Sequence, residues 1–280
     1  PELISAAINL PLGSEFSWEH LYQLLINENG WIKDIPPESE KILFLHQADV
    51  LTNYDDVKKL AIKLLNHYDH ILLSSMSNGG IEIVAHWGQI GCGILAAGSS
   101  TRFGSPKQLA VFNKKTFIEN VIQTALRINF SEVITVLGSS YEKIRPVVEN
   151  YPVKIINNKA WEEGQSTSVK ECVKYFLPKN VEAIVFLMVD QPQIGLELLE
   201  NIIHTFAYHK NDIIVHTFNH QNRHPILFSR STFRDLLRIV GEEGGRQLFE
   251  KYPPKKILIH DSYYSYDVDK IEDLKKIEKR

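Results

Sequence analysis

Three apolar runs, ILAA (94–97), VITVL (133–137) and AIVFLMV (183–189), show no alternation of polar and apolar residues. A strand with one wet face alternates. A strand covered on both faces reads as continuous Val, Ile and Leu, which is the signature of a parallel sheet between helices. The segments between the runs fit that expectation. TFIENVIQTAL (116–126) places Phe117, Val121, Ile122, Ala125 and Leu126 on one side at helical spacing. A second helix is expected from about Ser168 to Phe176, with Ser166 as its cap and Val169, Cys172, Val173 and Phe176 turned inward. VKII (153–156), IIVHTF (213–218), a helix near 231–239, KILIH (256–260) and a charged terminal helix continue the rhythm. Upstream, SWEHLYQLLI (17–26) has a helical pattern with Ser17 as a cap, and NGWIKDIPPES (29–39) is turn-like. KILFL (41–45), DDVKKLAIKLL (55–65) and HILLSS (70–75) read as strand, helix and strand up to SNGG (77–80). IEIVAHW (81–87) is a joining strand or a linker. The expected architecture is α/β: a Rossmann-like three-layer domain with a mostly parallel sheet over 89–280, preceded by a smaller α/β domain over 1–88.

Bulk properties narrow the function classes. The 280 residues carry a net charge of −3, so no global field draws the chain to nucleic acid. Two cysteines, Cys92 and Cys172, make neither a disulfide framework nor a zinc cluster, which fits a reducing, cytoplasmic setting. No run of 18 apolar residues suggests a membrane span, and the opening residues lack a signal-peptide pattern. The chain begins PELISAAINL without a methionine, as a fragment or processed product would.

The stretch GILAAGSSTRFGSPKQL (93–109) follows the first apolar run and admits three readings. One is a surface βα turn, since small residues dominate turns for local reasons. Another is a dinucleotide fingerprint, because GCGILA (91–96) formally matches G-x-G-x-x-A; its glycines, however, fall before and inside the apolar run instead of after it. A Walker-type P-loop fails because Ser-Pro-Lys follows Gly104. The third reading is a triphosphate loop of another type. Gly98 lets a ligand approach the backbone, and the N–H groups from Ala97 to Ser100 are placed to cradle anionic oxygens. Arg102 offers a bidentate fork and Lys107 a mobile point charge.

Two distant acidic segments bear on that choice. VFLMVDQP (185–192) is an apolar strand ending in Asp190, which puts a carboxylate at the carboxyl edge of the sheet. Mg²⁺ favours one or two carboxylates plus phosphate oxygens; the alternative role for Asp190 is to cap the turn before Pro192. In YSYDVDKIEDL (264–274), Asp267 and Asp269 face one side if the segment is extended. At least one of them is expected to complete the metal site; capping of the following helix by Asp269 is the other reading.

LAAGSSTRFGSPKQL resembles the L-A-A-G-x-S-x-R-x-G-x-x-K motif of the MobA-like nucleotidyltransferases, and its Ala-Ala and Pro-Lys-Gln-Leu features resemble the molybdenum cofactor cytidylyltransferase branch. The resemblance implies a Rossmann-like nucleotidyltransferase domain that binds CTP through Leu95, Ala96, Ala97, Gly98, Ser99, Ser100, Arg102 and Lys107. It also implies Mg²⁺ on the aspartate of the Asp-Gln-Pro segment, Asp190, with catalysis carried by Arg102, Lys107 and Asp190. The D-I-D-T-P-E-D-L pattern is kept at Asp267, Asp269, Glu272, Asp273 and Leu274, while Lys270 and Ile271 replace Thr-Pro. NNKAWEEGQSTSVKECV (157–173) resembles N-x-x-W-x-x-G-M-x-x-S-L, a loop near the acceptor, which makes Asn158, Gly164, Ser166 and Ser168 acceptor candidates. RHPILFSR (223–230) resembles G-H-P-x-L-F, and GEEGGRQL (241–248) resembles G-D-x-G-A-R-x-L-L. These nominate His224 and Arg246, although Arg246 has Glu242 and Glu243 as alternative partners. The implied acceptor is molybdopterin or molybdenum cofactor, with a molybdenum hydroxylase apoenzyme as partner. PLGSEFSW, NENGWIKDIPP and KILFLHQAD resemble the later part of accessory proteins of selenium-dependent molybdenum hydroxylases, with His46 where a base-reading asparagine stands and no P-loop. Other readings are guanylyl transfer, a sugar- or polyol-phosphate acceptor, or a non-catalytic nucleotide-binding assembly protein.

Overall fold

The computed structural model describes residues 3–9, 17, 40–47, 54–64, 68, 70–77, 80–128, 130–179 and 181–277. The helix expected over 17–26 and the turn over 29–39 lie outside the described residues, Ser17 excepted. The chain divides into two compact units, Pro1–Gln89 and Ile90–Arg280.

The first unit is a four-stranded sheet in the order β1 (Leu3–Asn9), β2 (Glu40–Gln47), β3 (His70–Ser77), β4 (Gly80–Gly88). The first three are parallel and β4 runs antiparallel to β3. Helix α1 (Tyr54–Leu64) connects β2 to β3 and buries Val57, Leu60, Ala61 and Leu64 at its helical spacing. Residues 81–87 are therefore part of a sheet strand rather than a linker: β4 pairs antiparallel with β3 from Ser77↔Gly80 onward. The opening strand β1 was not foreseen, because SAA in its middle has neither bulk nor clean alternation.

The second unit is built on β5 (Ile90–Ala96), β8 (Val133–Leu137), β9 (Lys154–Asn157), β10 (Ala183–Met188), β11 (Ile213–Phe218), β12 (Gln221–Ser229) and β13 (Lys255–Leu258). A two-stranded ribbon, β6 (Val111–Phe112) with β7 (Lys115–Thr116), follows the opening loop. The sheet order is β13-β11-β12-β10-β5-β8-β9, parallel except for β12, which is antiparallel to both its neighbours. It is thus the mostly parallel α/β sheet expected. RHPILFSR, read from sequence only as a motif, is the antiparallel strand β12.

The unalternating runs bury both faces. Cys92, Ile94 and Ala96 of β5 enter one apolar cluster, whereas Leu95 and Ala97 enter another on the opposite side. The first cluster also takes Phe117, Val121, Ile122 and Ala125 of α2 (Phe117–Leu126), Ile144 and Val148 of α3 (Tyr141–Val148), and Leu199 and Ile202 of α5 (Leu196–His209). The second is covered by Val169, Cys172, Val173 and Phe176 of α4 (Gln165–Phe176). Helix α2 starts at a capping box, with Glu119 accepting from the backbone N–H of Thr116 at 2.8 Å and from its hydroxyl at 2.7 Å. These bonds hold the Glu119 carboxyl below the usual carboxylate range.

Three local expectations are corrected. Helix α4 begins at Gln165 with Gly164 at its cap, so Ser166 lies inside the first turn and does not cap it. The helix near 231–239 reduces to a 3-10 turn, Arg230–Thr232, and one α-turn, Phe233–Leu236. Among the described residues Asp269 accepts no capping N–H; instead Asp273 reaches back to accept from the N–H groups of Asp269 (3.1 Å) and Lys270 (2.9 Å).

Candidate active site

Strand order places the site. From β5 the chain steps to β8 and then β9 on one side, then crosses so that β10 pairs on the other side of β5. The connections leaving β5 and β10 therefore diverge at their carboxyl ends and open a crevice, the switch point where open α/β sheets bind ligands. Into it project the loop after Ala96 and the turn after Met188. Two backbone bonds lock these together: Val189 N–H donates to the Leu95 carbonyl at 3.3 Å, and Val268 N–H donates to the Asp190 carbonyl at 2.9 Å. The second bond brings the 267–269 segment to Asp190 across more than seventy residues of chain.

The crevice holds about 590 Å³. Leu95, Ala97, Gly98, Ser99, Ser100, Arg102 and Lys107 line its loop side, Asp190 and Asp269 its floor, and Gly164 and Ser168 its far wall. A Cβ added at Gly98 would meet nothing within 4 Å, so this glycine keeps space open toward the cavity and relieves no internal clash. Gly91 and Gly93 have another purpose. A Cβ at Gly91 would fall 2.6 Å from the Phe176 ring, and one at Gly93 would fall 2.8 Å from the Cys172 sulfur. They let α4 pack onto β5, and their match to a dinucleotide fingerprint is accidental. Burial pushes the Cys92 and Cys172 thiols upward, as expected of inert core cysteines.

Charge converges at the floor. The Lys107 Nζ lies 2.9 Å from Asp190 Oδ2 and 3.5 Å from Asp269 Oδ1, and Arg102 lies 3.1 Å from Asp269 Oδ2. Two carboxylates thus share one cation. Asp267 is set apart: its Oδ1 accepts from Gln191 Nε2 at 2.5 Å. Although Asp267 keeps a solvent-exposed surface, the protein around it and the charge of Asp190 push its carboxyl upward, against the pull of Gln191.

The remaining candidates fall elsewhere. Ala96 is buried at the end of β5. Asn158 is buried, and its amide nitrogen donates to the Thr167 and Ser168 hydroxyls at 2.8 and 3.0 Å, while its oxygen accepts from Ala160 N–H at 3.0 Å. Asn158 therefore ties the start of α4 to β9. Ser166 is buried, with its N–H on the Gly241 carbonyl at 3.0 Å. His224 and Arg246 line a small adjoining cavity that shares Leu95 and Gln165 with the crevice. Arg246 makes no ion pair with Glu242 or Glu243 among the described residues. Burial, with the nearby Arg246 charge, pulls the His224 pKa down to about 3, so the ring is neutral near pH 7 and is no proton reservoir there.

Gln108, Trp161, Gln165, Met188 and Glu242 also line the crevice without having been singled out as site residues. The signal for Gln108 was present: it is a neutral amide beside Lys107 in the Pro-Lys-Gln-Leu ending of the loop motif. Trp161, Gln165 and Glu242 lie inside the motifs quoted for 157–173 and 241–248, but that their side chains meet in one crevice depends on which loops come together.

The family model for the MobA-like NTP transferase domain matches residues 92–256. Bifunctional protein GlmU of Francisella tularensis subsp. holarctica (strain OSU18) is 28% identical over 117 residues, which cover 41% of this chain and 25% of GlmU, so the match spans about a quarter of that relative. Purine catabolism protein PucB of Bacillus subtilis (strain 168) is 26% identical over 164 residues, 56% of this chain and 78% of PucB. The crystal structure of Rv0371c from Mycobacterium tuberculosis H37Rv in complex with manganese is 25% identical, covers 68% of this chain and 97% of its own, and superposes with a TM-score of 0.57. No helix among the described residues is long and apolar enough to cross a membrane.

Proposed function

Since this chain belongs to the MobA-like NTP transferase family, we propose that it is a nucleotidyltransferase that moves CMP from CTP to the phosphate of molybdopterin or molybdenum cofactor, with Mg²⁺. The observation that carries the reading is the convergence of Lys107, Arg102, Asp190 and Asp269 on one crevice beside the N–H groups of 97–100. An anionic acceptor oxygen attacks the α-phosphorus, the bond to the bridging oxygen breaks, and pyrophosphate leaves with the electron pair. A phosphate nucleophile is already anionic near neutrality, so no strong base is required, in keeping with a neutral His224. Arg102 and Lys107 stabilise charge on the transferred group and on departing pyrophosphate.

Asp190 and Asp269 suit a divalent cation: both are hard oxygen donors, and both already close on the single positive charge of Lys107. Bound there, the cation would neutralise phosphate charge. The manganese complex of Rv0371c supports a divalent-metal reading. His224 and Arg246, in the adjoining cavity, and Gly164 and Ser168, on the far wall, are assigned to the acceptor side. The resemblance of the first unit to accessory proteins of molybdenum hydroxylases supports a hydroxylase apoenzyme as the final recipient.

The test is a reconstituted reaction of folded protein with molybdopterin or its molybdenum form, Mg²⁺ and each of CTP, GTP, UTP and ATP, following pyrophosphate. Preferential release with CTP is expected. Release with GTP alone would make the chain a guanylyltransferase, and silence with all four donors would overturn the enzymatic reading for this acceptor.

A further inference from the structure

Gln108 is 1% exposed, an uncommon place for a primary amide, and its partners are at the end of β5 and on the loop that follows it. Its Nε2 donates to the carbonyls of Ala96 and Gly98, each at 2.9 Å, and its Oε1 lies 3.3 Å from the Ser100 hydroxyl. Other carbonyls of the loop are also held from within: Ala97 accepts from Ser139 N–H at 2.9 Å, and Ser100 accepts from Phe103 N–H at 3.0 Å. The N–H groups of Gly98, Ser99 and Ser100, by contrast, donate to no protein acceptor among the described residues. Ser100 sits at φ 57°, in the left-handed region that a non-glycine residue occupies only when its surroundings impose it.

Within a trans peptide the C=O of one residue and the N–H of the next point in opposite directions. Holding the Ala96 and Gly98 carbonyls on Gln108 therefore turns the N–H groups of Ala97 and Ser99 away from it, and the Ala97 carbonyl, held by Ser139, fixes the N–H of Gly98 in the same way. We infer that Gln108 is the positioning residue of this cradle: its carboxamide orders 96–100 before the ligand arrives, so that the amides of 98–100 meet the phosphates of a nucleoside triphosphate without reorganising. The 3-10 turn Lys107–Leu109 divides the labour of neighbouring residues, sending Lys107 to the carboxylates and Gln108 beneath the loop. This inference rests on the nucleotide reading of the crevice, and the experiment separates the two.

Binding of each nucleoside triphosphate with Mg²⁺ is measured by calorimetry, without acceptor, for the wild-type chain, Gln108→Leu and Gln108→Glu. Loss of two buried donor bonds predicts affinity weaker by about tenfold or more in both variants, and in turnover a rise in KM for the triphosphate larger than the fall in kcat. The glutamate variant supplies a readout that simple loss of packing would not move. Protonated, its carboxyl regains one donor, so its deficit relative to wild type should shrink as pH falls from 8 to 5.5. Wild-type binding matched by both variants would overturn the role of Gln108 while leaving the nucleotide site intact. Absence of binding by the wild type to all four triphosphates would overturn both. Should neither variant fold, NMR signals of the Gln108 carboxamide in the wild type decide: shift and slowed proton exchange on nucleotide addition support the role, and unchanged signals refute it.

Discussion

Asp190 and Asp269 are bound to the same ammonium, whereas Asp267, two residues from Asp269, is bound to a neutral amide. Equal spacing in sequence thus yields unequal chemistry. The contrast predicts graded effects of neutral isosteres. Asp190→Asn and Asp269→Asn should lower transfer on the order of 100-fold or more, the scale of losing a preorganised electrostatic partner, with little change in fold. Asp267→Asn should cost distinctly less. Steady-state kinetics beside circular dichroism checks this; full turnover by Asp190→Asn would remove that residue from the chemistry. The pair was only partly legible in sequence. Asp190 stands at the end of an apolar strand and announces its position at the sheet edge. The choice between Asp267 and Asp269 depends on the Val268–Asp190 backbone bond, which turns the segment so that one carboxylate meets Lys107 and Arg102.

At the scale of elements, the contact of α4 with β5 sets the far wall of the crevice, because the helix carries Gln165 and Ser168 to it. That contact tolerates no side chain at Gly91. Gly91→Ala would drive a methyl to 2.6 Å from a fully buried Phe176 ring, an overpacking expected to cost about 1–3 kcal/mol. Chemical denaturation measures it, and Phe176→Leu in the same chain should restore part of the loss through a coupling of the two sites. Additive effects would mean that the strand, not the ring, absorbs the strain. Helices α1, α2 and α4 announced themselves through apolar spacing, and the central strands through their lack of alternation, whereas α3, which has Pro146 inside it, and α5 were not foreseen. Strand β12 did not, since His224 and Arg223 interrupt it, and it pairs only because β10 and β11 flank it. The start of α4 was misplaced because Ser166 is a good cap residue, yet the backbone of Gly241 and Glu242 packs on Gly164 and the Gly241 carbonyl takes the Ser166 N–H, so the helix begins at Gln165.

At the scale of the whole molecule, a buried and a half-buried histidine tie folding to pH. His216 is wholly buried, its Nδ1 lies 3.1 Å from the Pro225 carbonyl, and burial lowers its pKa from 6.5 to about 4. Its native form stays neutral while the unfolded chain takes up a proton below pH 6.5. Stability from this group is therefore full above pH 6.5 and falls as pH drops toward 4, by up to about 1.4 kcal/mol per pH unit. His224, lowered to about 3, acts in the same direction and further into acid. Urea unfolding at pH 7, 6 and 5 should show the decline, and His216→Gln should flatten it. An unchanged slope in that variant would mean that other groups govern the acid limb.

The sequence by itself determined the alternation of apolar strands and amphipathic helices, the loop that follows the first central strand, and the charged side chains at its two ends. These are local properties, written in spacing and side-chain chemistry. Only the tertiary structure decided which of two aspartates shares Lys107 with Asp190, that Gln108 bonds the loop carbonyls, and that His224 and Arg246 line a cavity adjoining the main crevice. Each of those outcomes requires strands far apart in the chain to become neighbours. Local periodicity says that a strand will be covered on both faces, but it does not say which strand lies beside it. The crevice exists because β10 returns to the free edge of β5, so its contents follow from the order of the sheet.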